Sequence, residues 1–302
     1  GYDSFMKGSH FTSKPLHDFN QIAYMGRLTA ECPNLRLIAG IVLMPLHKPL
    51  DIAEQFANID LMSGGKLIFG SGLGYRDEEF KAFGIERKNI VRHLEENITA
   101  VRRLWTEEDV NMKGLGWELV NANCSIKPIQ TPPPFWIGAN ADAALKRAAE
   151  LGDCWYINPH NTLETTARQL DVYKGFLDAA GKPFPNELPM RREAFVARTK
   201  EEALKLAGPF VAKKYAAYHS WGQDDDMPEN ESLAGGLDAI VGDRFLIGSP
   251  DEVAEQMIAI NKKLGVNHLI LSMEWAGMEK SVAMDCMQMM AEDVMPRVRQ
   301  GV

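Results

Sequence analysis

The sequence predicts an α/β protein whose parallel strands are joined by crossover helices. Strand-like runs alternate with amphipathic helical runs along the chain, and this alternation is typical of parallel sheets. An open doubly wound sheet and a closed barrel both fit the rhythm. Seven strands are predicted, and the first begins so near Gly1 that we expect one strand–helix unit to be missing before it. A total of eight favours a (β/α)8 TIM barrel, whose active sites lie at the carboxyl ends of the strands.

Each element follows from a local pattern of apolar and turn-forming residues. Alternation at period two and short apolar runs predict strands at Asp3–Gly8, Leu35–Leu43, Lys66–Ser71, Phe135–Ile137, 154–157, 189–198 and 267–273. Apolar residues at helical spacing predict helices at Asp18–Cys32, Pro49–Met62, Asn89–Trp105, 141–151, 162–180, 200–218 and from about 279.

Two segments interrupt the repeat within a predicted single domain, residues 1–302. Gly114 and Gly116 lie among alternating residues, which predicts a small antiparallel hairpin at about 110–127. Residues 219–246 are predicted to form a long polar loop insertion that contains Asp224–Asp226. Consecutive carboxylates on a loop do not converge on one point, so we expect a solvated loop there and no metal site.

Composition and charge argue against several classes of protein. The chain has 302 residues, a net charge of −8 and no cluster of lysine and arginine, so we expect no nucleic-acid partner. No apolar run approaches membrane-spanning length and no signal-peptide pattern is found, so we expect no membrane partner. The four cysteines lie far apart without metal-ligand spacing, which fits free thiols in a reducing cytoplasm.

The stretch Ser63–Gly84 is the most informative, because a strand runs into a loop with glycine at every second position. Gly70, Gly72 and Gly74 remove side chains where a chain turns tightly or where a flat ligand touches backbone. The loop is not a dinucleotide fingerprint, because the third glycine of G-x-G-x-x-G would fall at Tyr75. The sequence contains no Ser-His-Asp set, zinc-protease motif or Walker loop, so we expect a cofactor to carry out the reactive step.

Several segments together resemble the bacterial luciferase-like family of flavin-dependent monooxygenases and oxidoreductases. They read YDSFMKGSHF, IVLMPLHKPLDIAEQFANIDLMSGGKLIFGSGLGYRDEEFKAFG, PPFWIGANADAALKRAAELGD, FLIGSPDEVAEQM and HLILSMEWAGM, in the family's order. The resemblance implies a (β/α)8 barrel that uses reduced FMN or, in one branch, an 8-hydroxy-5-deazaflavin coenzyme. It also implies that another strand and helix normally precede the GYDS segment.

The resemblance assigns the flavin ring and its ribityl chain to two segments. Ala39 and Gly40 would back the isoalloxazine ring, although two small residues can also simply pack a barrel core. The loop that includes Gly72, Leu73, Gly74 and Tyr75 would line the polar edge and the ribityl chain. Leu73 stands where luciferase has an arginine, and Arg76 lies within reach of a phosphate. For Asp77, Glu78 and Glu79 we expect only a helix-start cap.

The phosphate is expected at a second loop, where a predicted strand meets the N-terminus of a helix. Backbone N–H groups there form a ready anion cradle, and the residues are Gly138, Ala139, Asn140 and Ala141. An ordinary turn capped by Asp142 is the competing interpretation.

Two strand ends supply the candidate catalytic side chains. The resemblance implies that His10, after the first strand, acts as an acid or base or binds an oxygenated flavin, although a structural role also fits. Glu274 and Trp275 follow the last strand, where Glu274 would act in catalysis and Trp275 would stack in the substrate pocket or pack the core. Arg191 and Arg192 lie at the start of their strand, where we expect salt bridges.

The leading hypothesis is a monooxygenase that takes reduced FMN from a separate NAD(P)H:flavin reductase and uses O2 to oxidise a small organic substrate. A deazaflavin-dependent reductase or dehydrogenase is the alternative, and a flavin-binding protein without catalysis is the third. An unrelated barrel enzyme that acts on a phosphorylated metabolite is the fourth alternative. The resemblance also implies a homo-oligomer, whereas the sequence does not identify the substrate.

Overall fold

Strands and helices alternate along the part of the chain that the structure describes. The computed structural model describes residues 1–14, 18–223, 227–228, 231–233, 237–239, 241 and 243–302. The strands are β1 (Ser4–Lys7), β2 (Arg36–Leu43), β3 (Leu67–Gly72), β4 (Val110–Gly114), β5 (Trp117–Ala122), β6 (Phe135–Gly138), β7 (Cys154–Tyr156), β8 (Pro189–Val196), β9 (Phe245–Gly248) and β10 (His268–Ser272). The α-helices are α1 (Gln21–Glu31), α2 (Pro49–Ser63), α3 (Asp77–Ala82), α4 (Ile90–Thr106), α5 (Asp142–Leu151), α6 (Leu163–Ala179), α7 (Lys200–Ser220), α8 (Pro250–Leu264), α9 (Lys280–Met289) and α10 (Met295–Gly301).

The chain divides into two compact units. The N-terminal unit comprises Tyr2–Gly138 and Leu151–Asp153, and the C-terminal unit comprises Gly1, Ala139–Glu150 and Cys154–Val302. Among the helices described, none combines the length and the apolar character that a membrane crossing requires.

Parallel strands form the centre of the N-terminal unit, in the order β1, β2, β3 and β6. Phe69 of β3 points to the face that carries α2 and α4, where it meets Phe56, Trp105 and Phe135 at centroid distances of 4.9, 5.3 and 5.2 Å. All four rings are buried, and removing one such side chain from a core costs about 3–5 kcal/mol. This aromatic core fixes both helices on one face and leaves the other face of the strands for a site.

An antiparallel hairpin formed by β4 and β5 interrupts the β–α repeat of this unit. The indole Nε1 of Trp117 in β5 donates to Oδ1 of Asn97 in α4 at 2.8 Å. The amide of Asn97 also donates to the carbonyl oxygens of Met44 and His47, at 3.2 and 2.9 Å. Asn97 is fully buried, so it anchors the hairpin and the turn after β2 through one satisfied polar side chain.

Strand β8 organises the C-terminal unit. Its first half pairs in parallel with β10, and its second half pairs in parallel with β9 on the other side. Ile157, directly after β7, forms a parallel bridge to Met190 of β8. Tyr156, the last residue of β7, therefore lies beside the start of β8, and Ser272, the last residue of β10, pairs with Glu193 in the middle of β8.

The structure contains one strand and one helix that the sequence analysis did not predict. Strand β9 begins inside the expected insertion 219–246, and α8 follows it directly. A capping box starts α8, in which Ser249 and Glu252 bind each other's backbone N–H groups, and Gly265 ends it in the left-handed conformation. The sequence Ser-Pro-Asp-Glu carries that capping signal, whereas β9 has only four residues and gives little periodicity. The seven predicted strands are all present.

Candidate functional site

Two buried glycines lie on the face of β3 opposite Phe69. Because side chains alternate along a strand, Gly70 and Gly72 share this face. A Cβ on Gly70 would collide with the carbonyl oxygen of Ala39, and a Cβ on Gly72 would collide with the side chain of Ile41. Contact with a flat ligand is therefore not the only reason for these glycines, because neighbouring protein atoms already exclude a side chain.

The bulge in β2 lies at the residues predicted to back a flavin ring. The pairing with β3 shifts between Ala39 and Val42, and a cis peptide bond joins Gly40 to Ile41. Gly40 and Ile41 therefore have no partner residue in the register of β2 with β3. The side chain of Met6 covers Gly40, where a Cβ would collide with it.

His10 and Glu79 form a side-chain pair at the same edge of the N-terminal unit. A Cβ on Gly8 would lie 3.6 Å from the Gly40 carbonyl oxygen, so the chain beyond β1 passes the bulge and leads to His10. Oε1 of Glu79 lies 3.0 Å from Nδ1 of His10 and accepts from the backbone N–H of Phe11 at 2.9 Å. The side chain of Glu79 is 1% exposed and that of His10 is 25% exposed. A buried carboxylate thus orients an imidazole that solvent can reach.

The loop that follows β3 supports this pair. Gly74 has φ +78, a conformation that glycine adopts without steric cost, and Leu73 and Tyr75 beside it are partly exposed. The ring of Tyr75 meets the His10 ring edge-on at 6.1 Å. Arg76 is buried and donates to the carbonyl oxygens of Phe11 and Thr12 at 2.9 and 3.3 Å. Its guanidinium thus holds the segment after His10, and the suggested contact with a phosphate stays a prediction.

The acidic start of α3 has two different roles. Asp77 is exposed and pairs with Arg87 at 2.9 Å, which agrees with a surface position at the helix start. Glu79, two residues later, points inward to His10. The expectation of a simple cap is therefore wrong for Glu79. Sequence reasoning missed it because the two partners are 69 residues apart, and only a buried position in the first helical turn could have signalled it.

The second predicted loop, Gly138–Ala141, is held through its carbonyl oxygens. Nε1 of Trp155 donates to the Ala139 carbonyl at 3.0 Å, and Nε2 of Gln169 donates to the Asn140 carbonyl at 2.6 Å. The exposed Ala141 leads into α5, where the carboxylate of Asp142 forms bonds of 2.6 and 3.0 Å with Arg168. Arg168 therefore neutralises the carboxylate that would oppose a phosphate at this helix start.

Asn140 carries an unused acceptor in the same loop. Its Oδ1 is buried and has no hydrogen-bond partner among the described residues. The hydrogen bonds from Arg168 and Gln169 lower the pKa of Asp142, so this carboxylate is ionised near neutral pH. The loop offers polar atoms at a helix N-terminus, and its role in phosphate binding stays a prediction.

The last strand places its two candidate residues differently. Trp275 is buried, with its Nε1 donating to Oε2 of Glu193 at 2.8 Å, whereas Glu274 is exposed. The buried carboxylate near this strand end is Glu193, whose Oε1 lies 2.5 Å from Nζ of Lys214. Sequence reasoning missed Glu193 because its partners come from α7 and from the segment after β10, far along the chain.

The two arginines of β8 do not form the salt bridges that were expected. Within the described part of the chain, Arg192 is fully buried and donates to the carbonyl oxygens of Asn158 and Asn161 at 3.0 and 3.2 Å. Burial lowers the pKa of Arg192 to about 10. Arg191 donates instead to the hydroxyl of Ser272. Both guanidiniums therefore bind neutral oxygen atoms.

Described residues of the predicted insertion 219–246 anchor the start of α6. Glu231 accepts from the N–H and hydroxyl of Thr162 at 3.0 and 2.6 Å and forms a buried ion pair with Arg244. Burial alone would raise the pKa of Glu231, but the hydrogen bonds from Thr162 and Thr165 and the charge of Arg244 lower it. Asp224–Asp226, and the solvated loop predicted there, lie outside the described residues.

The described residues contain no group of three or more His, Cys, Asp or Glu side chains that could hold a metal ion. The N-terminal unit provides a strand bulge and an oriented imidazole, and the C-terminal unit provides a buried ionic cluster.

Comparison with known proteins identifies the family. Residues 1–268 match the luciferase-like monooxygenase family. The FMNH(2)-dependent dimethylsulfone monooxygenase of Pseudomonas putida is 30% identical over 81% of this chain and 70% of its own length. The F420-dependent glucose-6-phosphate dehydrogenase of Amycolatopsis mediterranei (strain U-32) is 29% identical over 87% of this chain and 79% of its own length.

The crystal structure of monooxygenase RslO1 from Streptomyces bottropensis has a TM-score of 0.84 and 23% identity over 98% of this chain and 88% of that chain. This likeness confirms the predicted α/β fold class. The family match covers most of the chain, and the motifs that carried the resemblance lie within it or directly follow it. The chain belongs to the luciferase-like monooxygenase family of oxidoreductases.

Proposed function

We propose that this protein is a monooxygenase that uses reduced FMN and O2 to oxidise a small organic substrate. A separate NAD(P)H:flavin reductase would supply the reduced flavin. The observation that carries the proposal is the His10–Glu79 pair, which lies at the strand edge where β2 leaves its ladder. The 30% identity to an FMNH(2)-dependent monooxygenase supports the choice of cofactor and reaction.

The residues of the N-terminal unit fit the ring of a flavin. Gly40 and Ile41 lie outside the β2–β3 register, and Gly70 and Gly72 make room for this bulge, because the Ala39 carbonyl and the Ile41 side chain occupy the space beside them. The polar backbone groups of the bulge match the polar edge of an isoalloxazine ring. Met6 covers Gly40, and its unbranched side chain can rotate away because a thioether chain has several low-energy rotamers.

Reduced FMN, when bound, supplies the electrons with which O2 is activated. The protein's part follows from the orientation of His10. Glu79 accepts hydrogen bonds from the Phe11 N–H and from Nδ1 of His10, which assigns the proton to Nδ1 and leaves Nε2 unprotonated. Nε2 can then accept or return a proton at the reacting group. The buried carboxylate keeps the ring in this orientation throughout the reaction, as in other carboxylate–imidazole pairs.

A stopped-flow experiment tests this role. The protein loaded with reduced FMN is mixed with oxygenated buffer, and the flavin absorbance is followed to full reoxidation. We expect the wild type to show an oxygen-dependent transient that free reduced FMN lacks. Glu79→Gln should shorten its lifetime by roughly 10- to 100-fold, the usual effect of one acid–base group or its orienting partner. Asp77→Asn, an exposed carboxylate of the same helix, is the control. Reoxidation of the wild type identical to that of free flavin would contradict the proposal.

Hydride transfer with a deazaflavin coenzyme is the second candidate. The specific observation in its favour is the match to the F420-dependent relative, which extends over 79% of that relative's length. The same imidazole would serve as the proton acceptor from an alcohol. This candidate predicts binding of reduced deazaflavin and no oxygen-dependent transient with FMN. A homo-oligomer and a cytoplasmic location also stay predictions.

A further inference from the structure

A cationic cluster in the C-terminal unit is not used by the proposed flavin chemistry. Arg191 is the third residue of β8, and its Nε and Nη2 donate to Oγ of Ser272 at 3.1 and 2.7 Å. The phenol of Tyr156 is also hydrogen-bonded to Arg191. Ser272 and Tyr156 are the last residues of β10 and β7, so the guanidinium lies at the carboxyl ends of both strands. In barrels of this kind ligands bind at that end.

The charge of Arg191 is not balanced by a close carboxylate. No Asp or Glu of the described residues lies within 4 Å of its guanidinium, and the hydroxyls it binds are neutral. Burial raises the pKa of Tyr156 to about 12, so this phenol stays protonated and does not balance the charge. A guanidinium has five N–H donors, and two hydroxyls accept from only part of them. Arg191 is partly exposed, so a ligand can reach it.

The neighbouring carboxylate is already compensated. Glu193 lies two residues along β8, on the same face as Arg191. Its Oε1 binds Lys214 at 2.5 Å and its Oε2 accepts from Trp275 at 2.8 Å, so both oxygens are occupied. The two cations, Arg191 and Lys214, and the one anion, Glu193, together carry one net positive charge. Tyr218 adds an aromatic wall, since Nζ of Lys214 lies 5.3 Å from its ring centroid.

We propose that the Arg191 cluster, made of Tyr156, Arg191, Lys214, Tyr218 and Ser272, binds the carboxylate or sulfonate of an anionic organic substrate. The cluster combines a planar fork of donors, a second cation and an aromatic wall, which together match an oxyanion on an apolar body. That the anion belongs to a substrate rests on the proposed function. The phosphate of the cofactor is the other source of an anion, and the experiment separates the two.

Calorimetric titration of the flavin-free, full-length protein with benzoate and with its neutral counterpart benzamide tests the inference. We expect benzoate to bind at least tenfold more tightly than benzamide. Arg191→Gln should weaken benzoate binding by roughly 10- to 100-fold, because a charged hydrogen bond is lost, and should leave benzamide unaffected. Arg191→Lys keeps the positive charge but loses the forked set of donors. Its benzoate affinity should lie between those of the wild type and of Arg191→Gln. Arg198→Gln, an exposed arginine just beyond β8, is the matched control.

A parallel titration with FMN and riboflavin identifies the source of the anion. The inference requires Arg191→Gln to leave the ratio of FMN to riboflavin affinity unchanged. A selective loss of FMN affinity would assign Arg191 to the cofactor phosphate and overturn it. Equal binding of benzoate and benzamide to the wild type would also overturn it, without depending on any variant. Benzoate binding is measured without flavin, so failure of the flavin proposal would appear separately, as absent FMN binding.

Discussion

His160 makes the stability of this protein depend on pH in a predictable direction. The residue is 8% exposed, its Nδ1 has no hydrogen-bond partner among the described residues, and its ring meets Tyr218 at 5.6 Å. Burial, helped by the positive charges of Lys214 and three arginines (Arg191, Arg192 and Arg244), lowers the pKa of His160 from 6.5 to about 3. The folded protein therefore keeps this imidazole neutral where the unfolded chain protonates it.

The size of the effect follows from proton linkage. Below about pH 6.5 the unfolded chain binds a proton that the folded protein does not, so stability is fully present above that pH and is lost as the pH falls toward about 3. Between about pH 7.5 and pH 5.5 the loss from His160 is about 1.4 kcal/mol. This figure is insensitive to the folded-state pKa as long as that value lies well below pH 5.5.

The assay is urea unfolding of the wild type and of His160→Phe at both pH values. The variant keeps an aromatic ring against Tyr218 and removes the titration. We expect the free energy of unfolding to fall less in His160→Phe than in the wild type, by about 1.4 kcal/mol. His219→Phe, at an exposed position of α7, is the control and should keep the wild-type slope. Equal losses in the wild type and in His160→Phe would refute the reasoning.

Three further predictions concern stability and reactivity. Glu231→Gln removes one partner of a buried ion pair and should lower the free energy of unfolding by about 3–5 kcal/mol in urea titrations, whereas Asp142→Asn, in a half-exposed pair, should cost less than about 1 kcal/mol. Gly70→Ala drives a Cβ into a backbone carbonyl and should lower the melting temperature, whereas Gly175→Ala, in an open helical position, should raise the free energy of unfolding by about 0.5–1 kcal/mol, and the opposite order would contradict the geometry. At about pH 8 only Cys32, the one partly exposed thiol, should react quickly with Ellman's reagent, because the other three are buried. Fast modification of a second thiol in the folded protein would contradict the burial.

The fold was largely predictable because its signals are local. All seven predicted strands are present, since each is a short apolar run bounded by turn-forming residues within a few positions. Strand β9 was missed because four residues carry little periodicity and because it starts within a segment predicted to be a loop. The bulge at Gly40 was expected only from resemblance. A register shift depends on how β2 meets β3, which lies some thirty residues further along the chain.

The candidate site was less predictable, because its key contacts join distant residues. His10 was recognised at a strand end, but its partner Glu79 looked like an ordinary residue of a helix start. Glu274 was chosen by its position after the last strand and is exposed, whereas the buried carboxylate there is Glu193. Burial decides which carboxylate is held in a fixed orientation, and burial at these positions is set by tertiary packing.

The most direct test of the central claim is an anaerobic titration of the protein with reduced FMN, in parallel with the reduced deazaflavin coenzyme, followed by admission of air. The account predicts binding of reduced FMN and an oxygen-dependent transient in the flavin absorbance before full reoxidation. Binding of the deazaflavin alone would contradict it and assign the protein to hydride transfer, and binding of neither would remove the cofactor roles proposed for Gly40 and Gly138–Ala141.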